Sequence, residues 1–232
     1  MRTLVISALA FLTVAAPQEP AGSAATITGR FLARPNEPLV GYRARRRLEA
    51  SNLRFKKDGW LEAETTLAGG TFSWREISSG GSSYIIKKVL RPVLAAEAEA
   101  QKIPRASAAL NNDNYKMSDD APTVDGRARI RLQPKRKDTL LVDGWLVVSP
   151  EDADLLEISG HLTKTPSFWT TSVDITRRYE RVAGQRVPVL VESAAAVRVA
   201  GRSTFRMTYR DEEINGAPVP EASGVSASAR IK

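Results

Sequence analysis

The segment Arg127-Ala128-Arg129-Ile130-Arg131-Leu132 alternates strictly between arginine and an apolar residue. Side chains of a β-strand point alternately to its two faces, so one face of this segment is cationic and the other is apolar. The same period of two recurs along most of the chain from Tyr42 onward. The pattern predicts a mainly β protein whose strands bury one face of a common sheet.

Ten segments carry the strand pattern. Three of them begin near Tyr42, Leu61 and Phe72, and Gly69-Gly70 supplies a tight turn between the second and the third. The other seven are expected at Asn114 to Met117, Gly126 to Gln133, Thr139 to Ser149, Leu155 to Thr163, Phe168 to Arg181, Arg186 to Val199 and Ser203 to Arg210. Short turns between successive strands predict an antiparallel meander.

Two segments have a helical period instead. A short helix is expected from Ala25 to Arg34, where Pro35 ends it. A longer one follows Gly80-Gly81 with Ile86 and Leu90 on one side, and Pro92 predicts a kink or a division into two helices. The predicted fold is therefore mainly β with a helical insertion, a single antiparallel meander curved into an incomplete β-barrel and covered by a short helical lid.

The N-terminal residues have the pattern of an export signal. Arg2 is followed by an uncharged, mostly apolar run from Leu4 to Ala16, which is shorter than a membrane-spanning helix. We expect residues 1–25 to be a signal peptide whose cleavage site the sequence leaves open, and residues 26–232 to form one domain. The predicted location is the periplasm or the exterior of a bacterial cell, and we expect a monomer.

The absence of cysteine and the net charge limit the chemistry and the classes of partner that are expected for this chain. The chain has no cysteine, which excludes disulfides, thiol catalysis and a lipid-modified cysteine anchor. Its net charge is +8, and Arg2 and Glu19 cancel within the predicted signal, so export leaves this charge unchanged. An exported basic protein is expected to meet anionic phospholipids, polysaccharides or acidic proteins, with no nucleic-acid partner.

No motif supports catalysis. His161 is the only histidine, and no Gly-x-Ser-x-Gly elbow accompanies it, so neither a serine triad nor a zinc site is expected. Glu62 and Glu64 share a strand face at a spacing within reach of glycoside chemistry, but pairing with neighbouring arginines is the better interpretation. We therefore predict no enzyme activity, no catalytic residue, no metal and no cofactor.

Two surfaces remain as candidate binding sites. The first is an outer face of arginines, which would contact an anionic membrane or partner and otherwise keeps an exported sheet protein soluble. Its predicted members are Arg43, Arg45, Arg47, Arg127, Arg129 and Arg131. The second is an apolar hollow between the curved sheet and the helix, since long strands enclose more volume than one short helix fills. Its predicted lining is Phe72, Trp74, Ile86, Leu90, Trp145, Phe168, Trp169, Phe205 and Met207.

The C-terminal half carries a series of short motifs, in which strands, glycine turns and prolines recur. They are Tyr115-Lys116-Met117, Gly126 to Pro134, Val142-Asp143-Gly144, Leu156 to Gly160, Pro166 to Trp169, Tyr179, Gly184, Val187-Pro188, Ser193 and Met207-Thr208-Tyr209. Together with the export signal and the helical insertion, they resemble the periplasmic lipoprotein-carrier (LolA/LolB-like) superfamily, in its uncharacterised secreted members.

The resemblance implies an incomplete barrel that holds the acyl chain of a lipid or lipoprotein beneath a helical lid. Since no cysteine is present to carry an anchor, a soluble shuttle fits better than a membrane-held receptor. The alternative is a non-enzymatic cell-envelope module with a filled core, which would bind anionic lipid, polysaccharide or an acidic protein through the arginine face.

Overall fold

A computed structural model describes residues 26–34, 39–101, 105–165, 168, 170–198 and 200–220. The predicted signal peptide lies outside these residues. Helix α1 comprises Ile27–Ala33 and is followed by strands β1, Tyr42–Asn52, β2, Lys57–Ala68, and β3, Thr71–Gly81. The predicted first helix and the first three strands are thus confirmed.

Residues 83–100 form one continuous helical segment, which we call α2. It consists of α-helix Ser83–Ile85, π-helix Ile86–Leu90 and α-helix Arg91–Ala100. The irregularity predicted from Pro92 therefore lies on the N-terminal side of the proline, in the π-helical turn. Proline lacks an N–H group and crowds the preceding turn, and the wider π-helical turn accommodates both effects without ending the helix.

All seven strands predicted after α2 are confirmed within a few residues at each end, and a two-residue strand follows them. They are β4 Tyr115–Asp120, β5 Ala128–Pro134, β6 Val142–Val148, β7 Leu155–Leu162, β8 Thr170–Val182, β9 Gln185–Val197, β10 Gly201–Ile214 and β11 Ala217–Pro218.

The strands form one antiparallel sheet in the order β3-β2-β1-β10-β9-β8-β7-β6-β5-β4, with β11 on β10. The pairing of β1 with β10 joins the first three strands to the later seven, and it sets Arg46 opposite Tyr209. The sheet does not close into a barrel, and α2 packs against it. The predicted fold class is therefore confirmed.

The inner face of the sheet is packed at two places. Beneath α2, residues such as Ile86 and Leu90 pack against β1, β2 and β3. At the other end, Phe31 and Leu32 of α1 pack against β4, β5, β6 and β7. Between these two regions, the inner faces of β8, β9 and β10 meet neither helix as closely.

The sheet is tightest where Gly144 of β6 lies opposite Gly160 of β7. A β-carbon added to Gly144 would lie 2.0 Å from the carbonyl oxygen of Ser159, and one added to Gly160 would lie 2.2 Å from that of Asp143. These distances are far below van der Waals contact, so only glycine fits at either position. The two backbones touch here without intervening side chains.

Candidate functional site

A cavity of about 330 Å³ lies between α2 and the middle of the sheet. Val89 and Val93 of α2 form one wall, and the other is built from β8, β9 and β10. The apolar side chains of that second wall are Val173, Ile175, Val191, Val197, Phe205 and Met207. Residues of β1 and Leu162 of β7 complete the lining, so the site is a mainly apolar space between one helix and the sheet.

Small side chains create this space. The strand register sets Phe205 opposite Ser193, and Ser193 opposite Ile175. One step along, Ser203 lies opposite Ala195, which in turn faces Val173. Serine and alanine at the centre of β9 cannot fill the gap beneath α2, because they project much less volume than the leucines and valines of the packed regions.

The cavity runs along α2 and has two chemically different ends. Phe55, Lys57, Tyr84 and Lys88 line one end, and all four are exposed. Glu97 lines the other end and is buried. Residues 84 and 97 are separated by about 20 Å of helix at 1.5 Å per residue. The cavity therefore has a basic, aromatic mouth and a buried polar inner end.

The inner end is organised around Arg46, which is 1% exposed. Its guanidinium donates a hydrogen bond of 2.5 Å to Oε2 of Glu97 and another to the hydroxyl of Tyr42. Its Cζ atom also lies 5.3 Å from the ring centroid of Phe72 and 4.7 Å from that of Tyr209. The pair thus fastens β1 to α2 in a site where its charges are shielded from water.

Burial dominates the pKa values around this pair. Desolvation lowers the pKa of Arg46, but the carboxylate of Glu97 and the phenols of Tyr42 and Tyr209 together outweigh it, and the net pKa is raised. Desolvation raises the pKa of the Tyr42 and Tyr209 phenols, so both stay protonated. It also raises the pKa of Asp211 to about 6, an effect that the positive charge of Arg46 partly offsets.

A second arginine, Arg177 of β8, faces the cavity from the sheet. It is 5% exposed, and its Nη1 lies 3.5 Å from the hydroxyl of Tyr179. Desolvation lowers its pKa and the neighbouring Tyr179 raises it, with a net rise, so this arginine is a permanent buried cation. The inner half of the cavity therefore combines an apolar wall with fixed charge.

The structure brings only part of the predicted hollow together. Phe205 and Met207 line the cavity. Ile86, Leu90 and Phe72 are buried in the packed region beneath α2, and Trp74 packs against that region. These four side chains support the helix and are not among the cavity-lining residues.

Trp145 lies on the opposite face of the sheet from the cavity. Its Nε1 donates a 2.8 Å hydrogen bond to Oδ2 of Asp120, and the guanidinium groups of Arg129 and Arg131 lie 5.2 and 5.0 Å from its ring centroid. The alternation that turns Leu146 inward turns Trp145 outward. Its assignment to the hollow followed from its aromatic character and ignored this parity.

A further aromatic candidate, Phe168, also lies apart from the cavity lining. Phe168 is 74% exposed, with the guanidinium of Arg198 over its ring at 4.7 Å. Trp169 lies outside the described residues.

The six predicted arginines do lie on the outer face, and each forms an ion pair with a nearby carboxylate. Arg43 and Arg45 pair with Glu212, and Arg47 pairs with Glu49 and Glu62. On the other half of the sheet the pairs are Arg127 with Asp125, Arg129 with Asp120 and Arg131 with Asp143. Ion pairing within the sheet accounts for these positions without an anionic partner.

The same ion pairs include Glu62 and Glu64, the two glutamates whose spacing is within reach of glycoside chemistry. Glu62 pairs with Arg47 at 2.7 Å, and Glu64 pairs with Arg75 at 3.3 Å. The structural interpretation preferred from the sequence is confirmed. In the described part of the chain, no three histidine, aspartate or glutamate residues are placed to hold a metal ion.

The buried ion pair of Arg46 and Glu97 was not predicted from the sequence. A signal was present: a charged residue in the inward register of β1 requires a buried partner. The inner face of the following helix offers an acidic residue, Glu97, within an otherwise alanine-rich run.

No protein-family model matches the sequence, and no curated protein matches it. Among solved structures, a LolA superfamily protein from Nitrosomonas europaea is similar, with 9% identity and a TM-score of 0.37 over 82% of this chain and 92% of that one. A DUF1329 family protein from Desulfovibrio piger is also similar, with 10% identity and a TM-score of 0.36 over 75% of this chain and 85% of that one.

None of the described helices is both long and apolar enough to cross a membrane.

Proposed function

We propose that the protein binds an apolar chain, such as the acyl chain of a lipid or lipoprotein, in the cavity beneath α2 and carries it within the bacterial cell envelope. The observation that carries the proposal is the cavity of about 330 Å³, walled by valines, Ile175, Phe205 and Met207. A volume of this size lies within the range of small-molecule sites. Apolar walls favour a ligand over water, because water there would forgo its hydrogen bonds.

The size of the cavity sets the expected affinity. It has about twice the volume of an engineered cavity of ~150 Å³ that encloses benzene, which gives room for on the order of ten carbon atoms. Burying a methylene group contributes about 0.8 kcal/mol, so ten would contribute about 8 kcal/mol before the entropic cost of binding. Because about 8 kcal/mol corresponds to a dissociation constant of about 1 µM, this cost makes the binding of one chain weaker than about 1 µM.

The two ends of the cavity favour one orientation of an amphiphilic ligand. Lys57 and Lys88 lie at the mouth, where an anionic head group would remain hydrated and would be attracted by the two ammonium groups. At the inner end, Glu97 is already bound to Arg46, and a head group there would have to lose its water. We therefore place the chain inward and the head group at the mouth.

The first test is whether the purified protein carries lipid. Delipidation under denaturing conditions, followed by mass spectrometry of the extract, is expected to recover single- or double-chain lipids in a fixed ratio to protein. Displacement of a fluorescent fatty acid from the delipidated protein would then give the affinity. Empty extracts together with absence of fatty-acid binding up to its solubility limit would overturn the carrier proposal.

Two neighbouring alanines provide a matched pair of variants. Ala195 faces the cavity, whereas Ala194 lines an open depression on the outer face of the same strand. Ala195→Phe is expected to fill the cavity and weaken fatty-acid binding at least tenfold, because the ring occupies the space of several methylenes. Ala194→Phe makes the same chemical change and should leave binding within twofold. Equal effects of the two variants would mean that the fatty acid binds elsewhere.

The cellular part of the proposal depends on residues 1–25. If they act as an export signal, the protein recovered from a periplasmic extract should lack them. Its intact mass would give the cleavage site, whereas an uncut protein confined to the cytoplasm would exclude a role in the envelope.

A further inference from the structure

The mouth of the cavity is surrounded by a basic and apolar surface, which we call the rim. Three segments form it: residues 53–57 at the turn between β1 and β2, residues 84–88 at the start of α2, and residues 198 and 200–203 between β9 and the start of β10. These segments contain seven basic residues and no acidic one, namely Arg54, Lys56, Lys57, Lys87, Lys88, Arg198 and Arg202. All seven are exposed.

Contacts between the segments show that the rim is continuous. The backbone N–H of Leu53 donates a 3.3 Å hydrogen bond to the carbonyl oxygen of Arg202, which joins the first segment to the third. Nζ of Lys57 lies 5.5 Å from the ring centroid of Tyr84, which joins the first to the second. Phe55, Lys57, Tyr84, Lys88 and Ser203 also line the cavity, so the rim encircles its opening.

The rim differs from the arginine face in charge balance. Each outer-face arginine considered above has a carboxylate partner, so that surface is close to neutral overall. Within the described residues, none of the seven rim cations forms an ion pair with a carboxylate. Seven exposed cations without a carboxylate partner among the described residues therefore lie around the cavity mouth.

Exposed apolar side chains accompany this charge. Leu53 is 66% exposed and Phe55 is 53% exposed at the tip of the β1–β2 turn, and Tyr84 is 54% exposed beside them. Aromatic and aliphatic tips flanked by lysine and arginine suit a membrane interface, where the rings enter the head-group layer and the cations contact phosphates. A polysaccharide or an acidic protein would give no comparable reason for bare leucine and phenylalanine at a turn.

We propose that the rim is a docking surface for an anionic lipid bilayer and that it presents the cavity mouth to the membrane. Membrane docking extends the proposed carrier function, and its biological role rests on that function. A mouth held at the membrane would let an acyl chain pass between the bilayer and the cavity without crossing water. The docking itself depends only on the rim, and it can therefore fail or succeed separately from chain binding.

The test uses the full chain and lipid vesicles of two compositions. Sedimentation with phosphatidylcholine vesicles containing about a third phosphatidylglycerol should bind the protein, and pure phosphatidylcholine should bind it far less. Raising the salt concentration should weaken binding to the anionic vesicles, since screening shortens the reach of each charge. Failure to prefer the anionic vesicles at low salt would overturn the proposal.

Matched charge variants separate the rim from net charge. The rim variant combines Arg54→Gln, Lys56→Asn and Arg202→Gln, none of which lines the cavity. The control combines Arg43→Gln, Arg45→Gln and Arg75→Gln on the outer face and removes the same charge. At about 1 kcal/mol per basic residue near an anionic membrane, the rim variant should lower the partition coefficient on the order of 100-fold and the control much less. Equal losses would show that binding follows net charge and has no defined surface.

An uncharged substitution tests insertion of the apolar tip. Leu53→Ser should lower the partition coefficient several-fold, whereas Val40→Ser, at a residue 60% exposed outside the rim, should not change it. A loss that is the same for both would refute insertion of the tip. The rim variant should still bind fatty acid as tightly as the wild type in the displacement assay. Weak vesicle binding by the wild type would therefore count against docking alone, whereas absence of fatty-acid binding by the wild type would count against the carrier proposal.

Discussion

The buried pair of Arg46 and Glu97 gives the sharpest prediction about stability. Glu97→Gln keeps the shape of the side chain and one oxygen acceptor but removes the negative charge. The guanidinium of Arg46 is almost fully buried and then lacks its counter-ion, although Tyr42, Phe72 and Tyr209 still surround it. Breaking a buried pair in this way costs about 3–5 kcal/mol, and the retained contacts place the expected loss near the lower limit, about 3 kcal/mol.

The assay is equilibrium urea unfolding, followed by circular dichroism and tryptophan fluorescence. With a slope of about 2 kcal/mol per molar urea, a loss of about 3 kcal/mol moves the midpoint down by roughly 1.5 M. The slope itself should not change, because the folded surface is the same. This loss is a large fraction of the stability of a typical domain, ~5–15 kcal/mol.

Glu76→Gln is the matched control. Glu76 pairs with Arg91 at 2.8 Å and also links the sheet to α2, but the two side chains are 24% and 43% exposed. Exposed pairs contribute about 0–1 kcal/mol, so the control should shift the urea midpoint by no more than ~0.5 M. If Glu97→Gln lost no more than Glu76→Gln, burial would not be the reason that the first pair matters, and the reasoning would be refuted.

Two further predictions concern single residues. The pKa of Asp211 is raised from 3.8 to about 6, so the folded state binds its proton more tightly than the unfolded state, and this residue's contribution to stability falls as pH rises through that window. Asp211→Asn should therefore raise the free energy of unfolding at pH 7.5 by on the order of 2 kcal/mol and have little effect at pH 3.5, as measured by urea unfolding at both pH values; an equal effect at both would contradict the shift. Gly144→Ala should cost at least about 3 kcal/mol because its β-carbon would lie 2.0 Å from the oxygen of Ser159, whereas Gly126→Ala, where a β-carbon meets open space at φ +81°, should cost about 1–2 kcal/mol from backbone strain alone. Thermal unfolding of the two variants compares them, and a smaller loss for Gly144→Ala would rule out the close backbone approach.

Much of the fold could be predicted from the sequence because period-two alternation survives in nearly every strand. Arg127 to Leu132 illustrates it: the residues expected to face outward do so and form ion pairs, while Ile130 and Leu132 are fully buried. Glycine pairs and prolines supplied the turns. The pairing of β1 with β10 could not be predicted, because strand order between distant segments leaves no local signal.

The candidate site was harder to predict, since aromatic size was used in place of strand parity. Valine, serine and alanine on β8, β9 and β10 shape the cavity, and the small residues Ser193 and Ala195 matter because they leave space. A sequence pattern shows which residues can pack in a core, but it does not show where the packing leaves a cavity. The buried charge of Arg46 was likewise visible as a break in an apolar face, but its carboxylate partner, Glu97, lies 51 residues away along the chain.

The measurement that tests the central claim most directly is photo-crosslinking with a fatty acid that carries a diazirine at the end of its chain, followed by peptide mass spectrometry. If the chain enters the cavity, labels should concentrate on the inner faces of β8, β9 and β10 and on Val89 and Val93 of α2, and Ala195→Phe should remove them. Labels spread over the outer face of the sheet, or labels on the inner face that persist in Ala195→Phe, would contradict an apolar cavity that holds the ligand.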